Sequence, residues 1–235
     1  MIEQYEYKGE HWWVNVDRGD HKMLGENDYK DLPLLTTDIW MDAGANIGTF
    51  AFRQSAKVDC VIHSYEPDPQ TAEVFKLNQT LFPTAKVFFH QVALGISDGE
   101  IPFYQANMSA SSSALPCKGR NKVMVKLVDI DKEILRINAN KLKLDIEGGE
   151  LQIFLNSKLP NIEYMIFEWH PRYTDKIPHR QSVLFEQVID RLMRLGFDDF
   201  THIKTVTMYG GKEGGAIYST TRKLFNDVPK STCFI

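Results

Sequence analysis

Apolar residues fall in short runs along this chain, and the spacing within each run predicts an element. Ile39, Trp40 and Met41 read as the end of a buried strand, and an apolar helical pattern over 47–56 begins straight after it. Residues 59–65 predict a second strand. Pro67 and Pro69 stop it, and Asp68 is placed to cap a helix over 70–82. A third strand is predicted over 86–92. Shorter alternating runs follow over 100–105 and 122–128, then a short helix over 129–136. Leu142 and Leu144 alternate with lysines over 141–144, and Leu151 to Leu155 continues as a helix. A strand over 163–167 and an amphipathic helix over 183–195, stopped by Gly196, precede two last strands over 197–204 and 215–220, with Gly210-Gly211 between them. Strands alternating with helices predict an α/β, doubly wound, mostly parallel sheet.

No internal repeat or domain boundary interrupts this order, so 37–235 reads as one domain. Residues 1–36 are aromatic and polar without a helical period. A short strand is expected at Trp12, Trp13 and Val14, and a loop from Asp17 to Asp31. The segment reads either as a cover over the crevice or as a packing extension. The serine-rich stretch from Asn107 to Ser113 reads as a linker.

Composition narrows the functions. The 235 residues carry a net charge of −4 with lysine and arginine scattered, which argues against a nucleic-acid partner, since that would need a basic stripe. Three cysteines, Cys60, Cys117 and Cys233, are too few and too far apart for a disulfide framework or a zinc site. The opening residues lack the regions of a signal peptide, and no apolar run approaches membrane-spanning length, so the expectation is a cytoplasmic chain.

The chemistry gathers at strand ends. The first strand runs into Asp42-Ala43-Gly44-Ala45-Asn46-Ile47-Gly48 and then a helix, the arrangement by which an open α/β sheet builds a nucleotide-sized crevice. Gly44 permits the tight turn, Asn46 tolerates an unusual backbone angle, and Gly48 allows close approach. An ordinary strand-to-helix turn would carry the same glycines. A dinucleotide fingerprint would place glycine where Asn46 stands, and no phosphate-binding G-x-x-x-x-G-K-[ST] occurs. A carboxylate at Asp42 would repel a pyrophosphate and attract an ammonium or a sulfonium. Glu66, beside Pro67 at the end of the second strand and 24 residues beyond Asp42, stands where such folds hold ribose hydroxyls. A helix-capping acid is the alternative. Val92 and the small residues Ala93, Leu94 and Gly95 would suit a flat adenine ring.

Two later strands also end in acids: Asp145-Ile146-Glu147-Gly148-Gly149-Glu150 and Glu168-Trp169-His170. Asp145, Glu147, Glu168 and His170 all qualify for general-base work, His170 having the natural pKa for it and Asp145 the strongest position. Glu147 reads as favouring the positive helix N-terminus. Asp145 with Glu168 and His170 would also suit Mg²⁺, although carboxylates at strand ends are common without a metal. His63 and His90 read as structural.

DAGANIG, YEPDP with Asn78 ten residues later, VALGISDGEIPFY, the serine patch, KLDIEGGE and FEWHP occur in that order. Together they resemble an FkbM-type S-adenosylmethionine-dependent methyltransferase, over roughly Asp38 to Pro171. The resemblance implies a class I methyltransferase fold, with a seven-stranded sheet whose last strand is antiparallel. It also implies methylation of hydroxyls on sugars, polyketides or similar metabolites. It places Asp42, Gly44, Asn46 and Gly48 on the cofactor loop, Glu66 on the ribose, and Asp145 and Glu147 beside the transferred methyl. Val128-Asp129-Ile130 departs from the family's Thr-Leu-Asp-like run, and the tail after Pro171 matches only loosely. A nicotinamide-dependent oxidoreductase and a non-catalytic nucleoside-binding module are the competing classes.

Overall fold

The computed structural model describes residues 1–25, 29, 31–116, 118–170, 178–207 and 213–222. Cys117, Cys233 and the Gly210-Gly211 connection lie outside the described residues. The central sheet has seven strands: β3 (Ile39–Ala43), β4 (Val61–Tyr65), β5 (Val87–His90), β9 (Lys141–Leu144), β10 (Tyr164–Trp169), β11 (Phe197–Thr207) and β12 (Glu213–Arg222). Their spatial order is β11-β12-β10-β9-β3-β4-β5. Every pairing between β5 and β10 is parallel, and β12 alone runs against its neighbours β10 and β11. The order reverses at β3, so the crevice at the carboxyl ends of β3, β9 and β4 is the natural ligand site.

Helices cover both faces: α1 (Thr49–Lys57), α2 (Pro69–Leu81), α3 (Ile130–Ile137), α4 (Glu150–Asn156) and α5 (Pro178–Arg194). A central strand is therefore buried on both sides. In β3, Met41 and Ala43 join one apolar cluster with Leu142, Leu144, Phe154 and Phe167, while Trp40 joins the other with Trp12, Phe52 and Phe75. The helix ends follow local chemistry. Asp68 accepts from the amide of Gln70 with Pro69 opening α2, and Asp129 accepts from Asp131 and Lys132 to open α3. Asn138, left-handed at φ 54°, closes α3.

Three features differ from the sequence expectation. Residues 2–15 form a hairpin, β1 (Ile2–Tyr7) with β2 (Glu10–Asn15), closed by Lys8 and Gly9 in left-handed conformation. Lysine is an uncommon turn residue there, so the two-residue loop carried a weak signal. Residues 16–18 and 20–25 are 3-10 turns rather than loop. The strand expected over 86–92 breaks after His90, and β6 (Ala93–Gly95) joins β7 (Gly99–Gln105) and β8 (Asn121–Asp129) in a separate three-stranded sheet.

The N-terminal segment is built into the core. Trp12 is fully buried against Phe52 and Phe82. Asn78 ties β2 to the α1 entry, donating to the carbonyls of Trp13 and Ile47 and accepting from the Trp13 amide. Arg18, also buried, binds Asp68 at 2.6 Å and donates to Thr71, Ser112 and the Ala106 carbonyl.

Candidate active site

A cavity of about 670 Å³ opens at the carboxyl ends of β3, β4, β9 and β10. That is within the usual range for a cofactor or drug-sized ligand. One end is apolar and is walled by Tyr65, Val92, Ala93, Leu94, Ile101 and Phe103. The other end is acidic and carries Asp145, Glu147, Glu168 and His170. Glu66 and Pro67 lie on the wall, as do Gly44, Ala45 and Asn46 of the turn after β3.

The turn is shaped by close backbone approach. Gly44 has φ +81°, and a Cβ there would lie 1.7 Å from the Asp145 carbonyl oxygen. The β3 turn thus presses directly against the end of β9, and only glycine fits. Asn46 is left-handed at φ 50°, with its side-chain oxygen accepting from the amide of Ile47. Its own amide donates to Glu66 Oε2 at 3.0 Å, while Glu66 Oε1 accepts from the Asp68 amide. Burial lifts the Glu66 carboxyl to about 7, against the pull of those two amides.

Asp42 and Gly48 are placed differently from the expectation of direct cofactor contact. Asp42 is fully buried behind the wall, accepts from Ser64 Oγ, and lies 3.3 Å from the ammonium of Lys143. A Cβ at Gly48 would meet the Phe52 ring at 2.3 Å, so this glycine serves helix packing. Lys143, which sequence reasoning passed over, is the central cation. Its Nζ donates to the Gly44 carbonyl at 2.7 Å and lies 3.8 Å from Asp145. Burial opposes its charge, but Asp42 and Asp145 hold its pKa above the ordinary lysine value. The signal was available: with Leu142 and Leu144 on one face, Lys143 must face the other, which α/β architecture also buries.

At the acidic end His170 is the hub, only 2% exposed. Its Nδ1 is 3.1 Å from Glu150, and its Nε2 lies 3.2 Å from Glu168, 3.6 Å from Glu147 and 3.9 Å from Asp145. Burial alone would depress its pKa, but Glu150, Glu147 and the hydrogen bonds to Glu150 and Glu168 raise it well above the ordinary value. The surrounding carboxylates thus favour the protonated ring over the free imidazole. Glu150, rather than Glu147, occupies the start of α4, accepting from the amides of Ile146 and Gly148. Among the described residues, Asp145, Glu150 and His170 can bring one donor atom each within 4.8 Å of one another. Both ring nitrogens face carboxylates at hydrogen-bond distance in this arrangement.

The serine-rich stretch is a wall and not a linker. Met108 to Ser112 line the cavity, as do Lys22 and Met23 of the N-terminal segment. Ser112 is fixed by Arg18 and Asp68, and Ser113, 1% exposed, donates to the Glu147 carbonyl at 2.6 Å.

A family model described as the methyltransferase FkbM domain matches residues 42–198. The chain belongs to the FkbM methyltransferase family. The fold agrees: the M. jannaschii TYW2 structure in complex with AdoMet superposes with TM-score 0.56 at 9% identity, covering 95% of this chain and 87% of that one. Trm5b from Pyrococcus abyssi does so with TM-score 0.53 at 6% identity, covering 95% and 56%. Such likeness shows the class I methyltransferase fold alone. In sequence, the chain is 26% identical over 138 residues to the hexuronic acid methyltransferase AglP of Haloferax volcanii, a match covering 57% of this chain and 56% of the relative. The chain spans about half the length of that curated relative, and carries the methyltransferase FkbM domain on the class I fold. No helix among the described residues is long and apolar enough to cross a membrane.

Proposed function

We propose that this FkbM-family member transfers the methyl group of S-adenosylmethionine to a hydroxyl of a sugar, a glycan or a similar hydroxylated metabolite. The observation that carries this is the polarity of the cavity, apolar at one end and acidic at the other, with Glu66 between the two. An adenine, a ribose and a cationic sulfonium with its amino acid tail match that sequence of surfaces. The hexuronic acid acting relative favours a sugar acceptor.

S-adenosylmethionine supplies a methyl group on a positively charged sulfur. Glu66 is placed to accept hydrogen bonds from the ribose diol, its two oxygens already oriented by the amides of Asn46 and Asp68. Val92 and Ala93, on the cavity wall, would flank the adenine, and Gly44, Ala45, Asn46 and Pro67 would hold the remainder. Asp145, at the acidic end, would face the cationic tail. His170 holds the carboxylate of Glu168 in place through its Nε2. In-line displacement needs the acceptor oxygen about 3 Å from the methyl carbon, and most of the catalysis is that positioning. Met23 and the segment from Met108 to Ser112 wall the space. The nicotinamide alternative would set a pyrophosphate against this acidic rim.

The test is incubation with labelled S-adenosylmethionine and a panel of rhamnosides, fucosides and hexuronides, with products identified by mass spectrometry and NMR. A methyl ether on one of the glycosides is the expected result. A methyl ester would move the acceptor to a carboxylate, and cofactor binding without transfer to any acceptor would favour a non-catalytic module.

A further inference from the structure

Arg18 lies behind the cavity wall rather than on it. It ends the 3-10 turn Val16–Arg18 and is only 7% exposed, a rare degree of burial for an arginine. Its guanidinium draws two other parts of the chain together. Nη1 donates to Thr71 Oγ1 at 3.1 Å, and Nη2 donates to Asp68 Oδ2 at 2.6 Å. Nη2 also donates to Ser112 Oγ at 3.0 Å and to the Ala106 carbonyl at 3.3 Å. Ser112 Oγ donates to Asp68 Oδ2 in turn and accepts from the Ala106 amide, which closes the network.

Both parts shape the cavity. Asp68 follows Glu66 by two residues, and its amide donates to Glu66 Oε1 at 2.9 Å while the Asn46 amide holds Oε2. The Asp68 carboxylate is fully buried, and its Oδ1 accepts from Gln105 Nε2 at 2.6 Å and from the Gln70 amide. Pinning that carboxylate between Arg18 and Gln105 fixes the Asp68 amide as well, and with it the direction of Glu66. The second part, Met108 to Ser112, is cavity wall.

We propose that Arg18 is a positioning residue of the methyl-donor site, aiming the Glu66 carboxylate through Asp68. The role rests on the function given above, in which the cavity holds S-adenosylmethionine and Glu66 accepts from its ribose. A guanidinium suits the task because it presents five N–H donors in fixed directions. It meets a carboxylate, two hydroxyls and a carbonyl at once. A lysine ammonium in its place would answer the charge of Asp68 but not the spread of the other three acceptors. The N-terminal segment therefore does more than pack against the sheet: it supplies the link between the ribose acid and the serine-rich wall.

The test is isothermal titration of S-adenosylhomocysteine into the unaltered chain, Arg18→Lys, Glu66→Gln and the double variant, each checked for folding by thermal unfolding. Residues that act through one another lose less together than the sum of their separate losses. Arg18→Lys should weaken binding about tenfold in the unaltered chain and about threefold or less in the Glu66→Gln background. Thr71→Val removes one acceptor of Arg18 at a position off the cavity wall, and should weaken binding about threefold with the same dependence on Glu66. It carries the test should Arg18→Lys fail to fold. Lowered thermal stability with full affinity in the folded variants makes Arg18 a packing residue and overturns the role alone. An equal loss of affinity in both backgrounds also overturns it, since Arg18 would then act elsewhere than on Glu66. Full affinity in Glu66→Gln removes Glu66 from the site, and the positioning role with it. Absence of binding by the unaltered chain overturns the reading of the cavity itself.

Discussion

Lys143 stands directly opposite Asp42 across the parallel pairing of β3 and β9, with its ammonium 3.3 Å from the Asp42 carboxylate and both side chains buried. The same ammonium donates to the Gly44 carbonyl, so one cation ties two strands and the cofactor turn together. Removing one partner from a buried ion pair strands the other, typically at about 3–5 kcal/mol. Lys143→Met should lower the unfolding free energy by that order in urea denaturation, and Lys143→Met combined with Asp42→Asn should recover much of it. A double-variant loss equal to the sum of the Lys143→Met and Asp42→Asn losses measured singly would mean that the pair is not coupled.

Gly44 and Gly48 should separate by function. Gly44→Ala puts a methyl into the Asp145 carbonyl at a left-handed position, adding about 1–3 kcal/mol of strain and displacing the turn. Both stability and S-adenosylhomocysteine affinity should fall. Gly48→Ala meets the Phe52 ring instead, so thermal stability should fall while affinity measured on the folded protein is retained.

Glu66→Gln keeps the shape of the side chain but replaces a double acceptor by a mixed group. One of the two amides now served by a carboxylate oxygen then faces an NH₂ that cannot accept its hydrogen bond. Binding of S-adenosylhomocysteine should weaken by about 1–3 kcal/mol, measured by isothermal titration. Unchanged affinity would remove Glu66 from the ribose site.

His63 and His90 share a 3.0 Å contact between ring nitrogens on adjacent strands. Burial, with His90 and Arg136 nearby, pushes His63 down to about 4, and burial lowers His90 as well. Between the ordinary histidine value of about 6.5 and these lower values the unfolded chain binds more protons than the folded one. The contribution of the pair is complete above about 6.5 and is lost as pH falls toward 4. Glu66 and Glu147, raised to about 7, act in the opposite sense, losing stability as pH rises from about 4.5 through 7. The clean measurement is therefore a difference: thermal unfolding of the chain and of His63→Phe across pH 4 to 7. The variant should lose less stability on acidification, and parallel curves would contradict the assignment.

Most of this architecture was legible in the sequence because strand and helix periods are local. The runs over 141–144 and 163–167 and the acids that end them appear in the structure where spacing placed them, at the carboxyl edge of the sheet. Side-chain partners were less visible. Asp42 looked like a rim acid because Lys143, about a hundred residues away in sequence, becomes its neighbour only through β3–β9 pairing. The surroundings of His170 were not visible, because nothing in FEWHP reveals that carboxylates from the turn after β9 and from the start of α4 converge on it. The serine patch looked like a linker since its small polar residues show no period. Their role follows from bonds to Arg18, Asp68 and Glu147 in three other segments.

The central claim, that this cavity holds the methyl donor, is tested most directly by isothermal titration of the purified chain with S-adenosylhomocysteine and, separately, with NAD. One S-adenosylhomocysteine per chain is expected, with weaker binding in Glu66→Gln and no heat from NAD. Saturable NAD binding together with no S-adenosylhomocysteine binding would contradict it.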